Sequence, residues 1–599
     1  MRNRKYNFMV WVLLFVMVFS VPVYGQFKSG KPYTQRQTET VYDEVAAQQH
    51  IQQLQQALNQ KGKKKEVAAL YDLVIEDFDR LSTVLAMSQI AYDNNIWDEE
   101  TAECAAYWNT LYTEQYDKIY SCLYDAFSTE YADLLKKKIG TELPTEYEAL
   151  SEKAFALKEK EQNLIQQYQQ ATAKSYTVQI DGAVWDDEKL QQADISDAQY
   201  AKINEALTKE RNQALGACYK ALVQVRKEMA KEAGYDDYTE YATDMYGRDY
   251  TAKDAKQFCE NVKTYIVPLY EAIWEEIEQK GDLSKELATF ENNPTQDIMD
   301  TVAIAVQNIS PELSNIYTYM CRYGLYDFQE HSAQRVGGAY TVGMPYYKDA
   351  YLFANKENTY VDYQTILHEF GHFAAYCYDE TPDLFRGFSV DVAEIQSQAL
   401  ELLALHESET MFGNKAEAYT LAELSDILFS IISSAMIYEF EDAVYQNADM
   451  TVTEMNRLFA DIQTEYHAMF FDEYGAYCYD WVEVGHLFES PMYYIGYGTS
   501  AFSALNIWVM SQQDYEAAVD TYLNIVQYAS NSSYMNVVEV FDLENVFDER
   551  DVKNMAKMIA NTEEFGGDGV IQMSQGLDLS NLWRTVWKVW ASPRFSMDI

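Results

Sequence analysis

Apolar residues recur three and four apart along most of this chain, the repeat that aligns them on one face of an α-helix. From about 35 to 175 the sequence is dense in Gln, Glu, Lys, Ala and Leu, as in HIQQLQQALNQ (50–60) and LIQQYQQATA (164–173). Long amphipathic helices are predicted there. The Gln-rich stretch near 48–60 has Ile and Leu between its glutamines, so it reads as a solvated helix face rather than low-complexity sequence. Helices are also predicted around 196–233 and 252–280, and no repeat of fixed period is present. Between Gly324 and Tyr360 the texture changes. In RVGGAYTVGMPYYKDAYLFANKENTY (335–360) Gly, Pro and Tyr cluster and the period falls to two, which predicts a small β-sheet. Two further helices follow, around 361–378 and 390–408, and the helical pattern then resumes.

Composition agrees with a helical fold. The chain has 24 Gly and 10 Pro in 599 residues, a low share of the residues that break helices. Hydrophobics at 48% and aromatics at 15% are ample for a large core and exclude a disordered chain. Charge narrows the partners: 46 basic against 94 acidic residues, a net charge of −48, repels phosphate backbones and argues against nucleic acid.

The N-terminus carries a different signal. Arg2, Arg4 and Lys5 precede an apolar run from Phe8 to Val23, with Val23 and Gly25 at small-residue positions. This is the pattern of an export signal, residues 1–25, cleaved after Gly25. The mature chain is then expected to be secreted or at the cell surface, without stable membrane insertion; an uncleaved anchor is the alternative. Removal of the segment makes the chain three charges more negative. Seven cysteines without CxxC pairs are not a disulfide scaffold and read as small buried hydrophobes. Trp583, Trp587 and Trp590 recur at helical spacing near the C-terminus and predict a terminal helix docked on the core.

Chemistry concentrates in QTILHEFGHF (364–373), where His368 and His372 lie four apart with Glu369 between them. On a helix both imidazoles share a face and can ligate one Zn²⁺, while Glu369, offset by about 100°, reaches water at the metal rather than the metal. With only seven histidines, chance gives HExxH in about one such chain in a hundred, so a helix with two satisfied histidines is the weaker reading. A third ligand is required. Glu394, in SVDVAEIQSQALELL (389–403), is the candidate, 26 residues after His368 and far enough on for a second helix to return beside the first. Glu401 falls on nearly the same face two turns along. Either it orients a ligating imidazole or it faces solvent or another partner. His406 reads as structural or solvated.

These segments resemble the oligoendopeptidase F and thimet-oligopeptidase family of zinc metallopeptidases. HEFGH with the later AEIQSQ looks like that family's zinc signature. WVEVGHLFESPMYYIGYGTSAFSA (481–504) is similar to its late His and Tyr segment, and DMYGRDYTAKDAKQFCENVKTYIVPLYEAI (244–273) to the helix leading into its catalytic half. The matches span about 235–510. The resemblance implies a mainly α, two-lobed helical clamshell with a deep channel and a small sheet beside the zinc helices. It divides the chain into an N-terminal helical lobe, 26–230, and a catalytic domain, 231–599. It also implies one zinc ion per chain held by His368, His372 and Glu394, with Glu369 as catalytic base. His486 and Tyr497 stand at positions that stabilise the developing oxyanion, with Tyr493 and Tyr494 between them. Gly338, Ala339 and Tyr340, with YLFAN (351–355), look like a substrate-binding sheet whose edge pairs with extended peptide; a purely structural hairpin is the alternative. The implied reaction is hydrolysis of internal bonds in short peptides. A zinc exopeptidase and a non-catalytic exported peptide-binding protein are the alternatives. No GxSxG elbow or catalytic-cysteine context supports a serine or cysteine mechanism.

Overall fold

The computed structural model describes residues 30–562, apart from 140–150, 281–286, 288–289, 291, 468–476, 529–531 and positions 173, 194, 333 and 388. The expected export signal and the Trp583, Trp587 and Trp590 helix lie outside the described residues.

Helices dominate, as the 3.6-residue pattern predicts, and two small sheets interrupt them. The N-terminal part contains α1 (Tyr33–Glu39), α2 (Glu44–Leu58), α3 (Lys64–Asp93), α4 (Glu99–Ala126) and α5 (Glu152–Thr172). In α2 the interleaved Ile51, Leu54, Ala57 and Leu58 are buried and the glutamines mostly face outward. Asp43 starts α2 and Asp98 starts α4 by accepting first-turn backbone N–H groups, the usual remedy for unsatisfied donors at a helix start.

A hairpin, β1 (Val178–Ile180) and β2 (Ala183–Trp185), breaks the helical run. Its turn is Asp181-Gly182, both with positive φ, at 53° and 82°. That dipeptide favours the left-handed backbone of a two-residue hairpin. The helical pattern on either side obscures it in sequence. Next comes α6 (Asp197–Glu232). The stretch expected as one helix over 252–280 divides into α7 (Ala252–Asn261), a π turn (Val262–Ile266) and α8 (Val267–Lys280).

The second sheet follows α9 (Thr295–Ile309) and α10 (Pro311–Tyr323). Its strands are β3 (Tyr326–Glu330), β4 (Ala339–Met344) and β5 (Asp349–Lys356), in the order β3-β5-β4. Central β5 is buried throughout and pairs parallel with β3 and antiparallel with β4, which leaves β4 as an edge. After β5, Asp362 accepts the N–H groups of Glu357 and Asn358 at 2.7 and 3.0 Å and turns the chain into α11 (Val361–Tyr378). The return helix α12 (Val390–Ala404) ends in a 3₁₀ turn, Leu405–Glu407, rather than running straight to 408. Then follow α13 (Ala416–Gln446), α14 (Val452–Glu465), α15 (Ile495–Gln513) and α16 (Tyr515–Tyr528).

α11, α12, α13 and α15 are buried on nearly every face, so they form the centre around which amphipathic helices pack. The apolar stretch within 390–446 that is long enough to cross a membrane is wholly buried core. A smaller core joins α2, α3 and α4 to Leu384 and Phe385, from the loop between α11 and α12. α1 is anchored by fully buried Arg36, which donates to Asp349 at 2.8 Å and to the Tyr319 hydroxyl at 2.9 Å. The cysteine reading is corrected. All seven thiols are unpaired, but only Cys259 is buried; Cys104 is exposed and the rest are half-buried. They lie on flanks of helices that are only partly covered.

Candidate metal centre and peptide cleft

Two central helices meet where α11 has no side chain. A Cβ built on Gly371 would stand 2.5 Å from the Gln396 carbonyl oxygen and 2.7 Å from Ser397 Cα. Backbone touches backbone at that crossing, and the contact brings His368 and His372 of α11 against Glu394 of α12. The His368 Nε2 and His372 Nε2 atoms lie 3.3 and 3.5 Å from Glu394 Oε2. All three residues are at most 4% exposed. Among the described residues this is the one cluster of His, Cys, Asp and Glu that could hold a metal ion, its donor atoms within 4.8 Å of one another.

The donor set suits zinc. Bonds of about 2.0–2.1 Å in a tetrahedral site place neighbouring donors about 3.3 Å apart, close to the separations here. Orientation comes from outside the trio. Glu401 Oε1 accepts a hydrogen bond from His368 Nδ1 at 2.7 Å, which turns Nε2 toward Glu394. Ser397 Oγ donates to Glu394 Oε2 at 3.1 Å. Burial alone would raise the Glu394 carboxyl, but hydrogen bonds from His368 and His372 outweigh it and hold Glu394 below the usual carboxylate range.

Glu369, 2% exposed, faces the cleft on the sheet side. Thr341 of β4 donates its hydroxyl to Glu369 Oε2 at 2.8 Å. Burial raises the Glu369 carboxyl above its ordinary value, opposed by the two imidazoles and that hydroxyl. The cleft wall includes Gly338 and Ala339 at the start of β4 together with His368, Glu369, Glu401 and Tyr497. Gly338 has φ +83°, a backbone that side chains resist. Tyr340 alternates to the other side. Its hydroxyl donates to Asp93 of α3 at 2.6 Å and its ring stacks on Phe353, so it ties the edge strand to the N-terminal helices.

The late segment closes another wall. Tyr497 is 2% exposed, and its hydroxyl lies 3.3 Å from His486 Nε2. The rings of Tyr493, Tyr494 and Tyr497 surround the His486 imidazole at 5.4–5.6 Å. Burial raises the Tyr497 hydroxyl well above 10, so it stays protonated and able to donate at neutral pH. The approach to this segment is strained: Met492 has φ +61°. Its N–H donates to Glu441 at 2.9 Å and its carbonyl accepts from Arg248 at 2.8 Å. Arg248 also pairs with Asp391 at 3.1 Å. Fully buried Asp391 accepts from Tyr250 at 2.9 Å and Thr499 at 3.0 Å as well. One carboxylate, three residues before Glu394, thus joins α12, α15 and the 244–250 segment.

Thr341, Asp391, Glu441 and Ser397 carry no pattern that marks them in sequence. His406 is structural in its contacts: it meets Ser511 Oγ at 2.8 Å and packs on Tyr515. A charged clamp for a terminal carboxylate would mark an exopeptidase; of two arginines near the motif in sequence, Arg335 pairs with Asp327 at 3.2 Å and Arg386 with Asp379 at 2.8 Å.

Comparison with known proteins follows this geometry. The sequence profile of peptidase family M3 matches residues 318–556, a span from α10 through both helices of the candidate metal site and past α16. The group B oligopeptidase PepB of Streptococcus agalactiae is 26% identical over 218 residues, 34% of each chain, so the match spans about a third of that relative's length. In three dimensions the likeness is wider. A solved structure assigned as an oligoendopeptidase F superposes with a TM-score of 0.71 at 22% identity, over 89% of this chain and 99% of its own. PZ peptidase A with an inhibitor gives 0.71 at 20% identity, over 88% and 100%. At those identities the superpositions establish the fold. The chain therefore resembles peptidase family M3 in sequence over 318–556 and a solved oligoendopeptidase F structure in fold over most of its length.

Proposed function

We propose that this chain is a zinc-dependent endopeptidase that hydrolyses internal bonds of short peptides and is exported through its N-terminal segment. One observation carries the reading: two imidazoles and a carboxylate meet on one point, with Glu369 beside them and an edge strand along the same cleft. Bound by His368, His372 and Glu394, zinc would supply Lewis-acid polarisation of the scissile carbonyl and lower the pKa of water towards about 7. Glu369, held at Oε2 by Thr341, takes the proton from attacking water and delivers it to the leaving amine. Tyr497 donates its hydroxyl to the carbonyl oxygen as charge builds there, and His486 supports it. β4, through Gly338 and Ala339, pairs with the extended peptide backbone. Neither Arg335 nor Arg386 lines the cleft among the described residues, which leaves the internal-cleavage reading without a rival carboxylate clamp from these two.

The test is digestion of end-blocked and free peptides by the full chain with zinc, with mass spectrometry of the products. Glu369→Gln serves as control, with metal content measured on both proteins. Internal cuts in blocked peptides are expected, with a loss of about 10²–10⁴-fold in the control at equal zinc content. Equal activity in the control would remove Glu369 from the mechanism, and products only from free ends would favour an exopeptidase. Cleavage after Gly25, read by N-terminal analysis of material recovered outside the cell, tests the export reading.

A further inference from the structure

The cleft has a second chemical character beyond the residues assigned to hydrolysis. From His368 and Glu369 it extends past the start of β4 along the first turns of α11 to α12 and α13, enclosing about 750 Å³ with its open mouth included. Besides Glu369 and Glu401, its wall holds the carboxylates of Glu357, Glu423 and Asp426 and, among the described residues, no Lys or Arg. Apolar surface from Ala339, Val361 and Ile427 lies among them.

Glu423 is the singular member. It is 2% exposed, and its Oε2 has no hydrogen-bond partner among the described residues. Gln398 Oε1, from a residue 3% exposed, is in the same condition on the same wall. Gln364, whose amide reaches Asp426 at 3.2 Å, and Glu401, bound to His368, also stand beside the Glu423 carboxyl, and the Tyr360 hydroxyl reaches Asp426 at 3.2 Å; none of them satisfies Glu423 Oε2. Buried acceptors are normally satisfied, so two orphans facing one cleft mark a missing donor. Burial, with the charges of Glu401 and Asp426, pushes the Glu423 carboxyl well above the ordinary range. A cation entering the cleft would relieve that penalty.

We propose that this wall is a specificity pocket for a cationic side chain, Lys or Arg, on a residue flanking the scissile bond, with Glu423 and Asp426 receiving its charge. The inference rests on the peptidase reading above. The pocket shares His368 and Glu369 with the reaction centre, so a side chain next to the bond being cut is the one that reaches it. Its methylene stem lies against Val361 and Ile427 while its head meets the carboxylates, the usual division of a long basic side chain. A neutral isostere leaves Glu423 Oε2 buried and unpartnered, which is how a polar site rejects an analogue lacking the matching group. The net charge of −48 attracts basic peptides over longer range.

The experiment compares end-blocked peptides of one scaffold with Lys, Arg, norleucine or citrulline at each position flanking the cut. kcat/KM and the cut site are read on the zinc-loaded full chain, on Glu423→Gln and on Asp426→Asn. A preference of at least about 10-fold for Lys and Arg over norleucine and citrulline is expected at one of the two positions. Within each variant that ratio should fall towards one; either variant serves if the other fails to fold. A ratio near one in the unaltered chain, or an unchanged ratio in the variants, overturns the pocket while leaving the peptidase intact. No cleavage of any peptide overturns both.

Discussion

Gly371→Ala puts one methyl group at the crossing of α11 and α12 and tests whether that contact sets the metal site. The new Cβ would stand 2.5 Å from Gln396 O and 2.7 Å from Ser397 Cα, whereas ordinary contact begins near 3.4 Å. Neither is the end of a flexible side chain, so the helices must separate, by about 0.9 Å on the carbonyl side. Metal–ligand distances tolerate only about ±0.2 Å. Glu394 sits two residues before Gln396 and moves with it, while His368 and His372 stay on α11. Rotation of the Glu394 side chain can recover part of the shift, so a 10–100-fold loss of zinc affinity is expected, the range seen when ligand support is removed. Overpacking should cost about 1–3 kcal/mol of stability. Zinc affinity is measured by competition with a chromophoric chelator, alongside circular dichroism and thermal unfolding. Gly485→Ala, where the added Cβ meets nothing nearer than 3.7 Å, should stay within about 0.5 kcal/mol of the parent. A folded Gly371→Ala protein that binds zinc as tightly as the parent would refute the reasoning.

Three further outcomes follow from the geometry. Glu401→Gln weakens the hold on His368 Nδ1 and should lower zinc affinity about 10–100-fold, read in the same chelator competition. Tyr497→Phe removes a protonated donor from the cleft and should lower kcat about 10²–10³-fold with KM little changed, as steady-state kinetics on one peptide will show. The Glu441 carboxyl is pushed up to about 8 by burial; the folded state keeps a proton that the unfolded chain releases above about pH 4.5, so this stability is fully present below that pH and is lost as pH rises through 8. Glu441→Gln, whose side-chain oxygen can still accept from Met492, should therefore gain on the parent between pH 5 and 8 in urea denaturation, by at most about 1.4 kcal/mol per pH unit.

Much of the fold is legible because burial imposes periodicity. The helices over 361–378 and 390–404 and the sheet before them stand where the change of period places them. What escaped depends on single contacts. The Asp181-Gly182 hairpin is a two-residue signal inside a long helical texture, and the π turn at Val262–Ile266 keeps an apolar helical pattern while shifting its register. Cysteine burial was misjudged because residue type fixes only an average; Cys104 and Cys259 both lie on helices, one facing solvent and one facing the core.

The site divides along the same line. HExxH is legible because two ligands and a base share one helix, so sequence spacing is also spatial spacing. The supports come from distant segments and show only when the chain is folded: Thr341 from β4 holds Glu369, while Arg248 and Tyr250 reach Asp391 across more than a hundred residues. Glu423 goes further, since it is marked by what it lacks. A buried carboxylate oxygen without a partner has no signature in a chain with 94 acidic residues and is recognised only once the nearby donors have been accounted for. Motifs of this kind announce the reaction, whereas selection among substrates rests on side chains whose neighbours must first be known. Whether the cleft selects basic side chains therefore turns on the contacts of Glu423, Asp426 and Gln398 rather than on the HExxH motif.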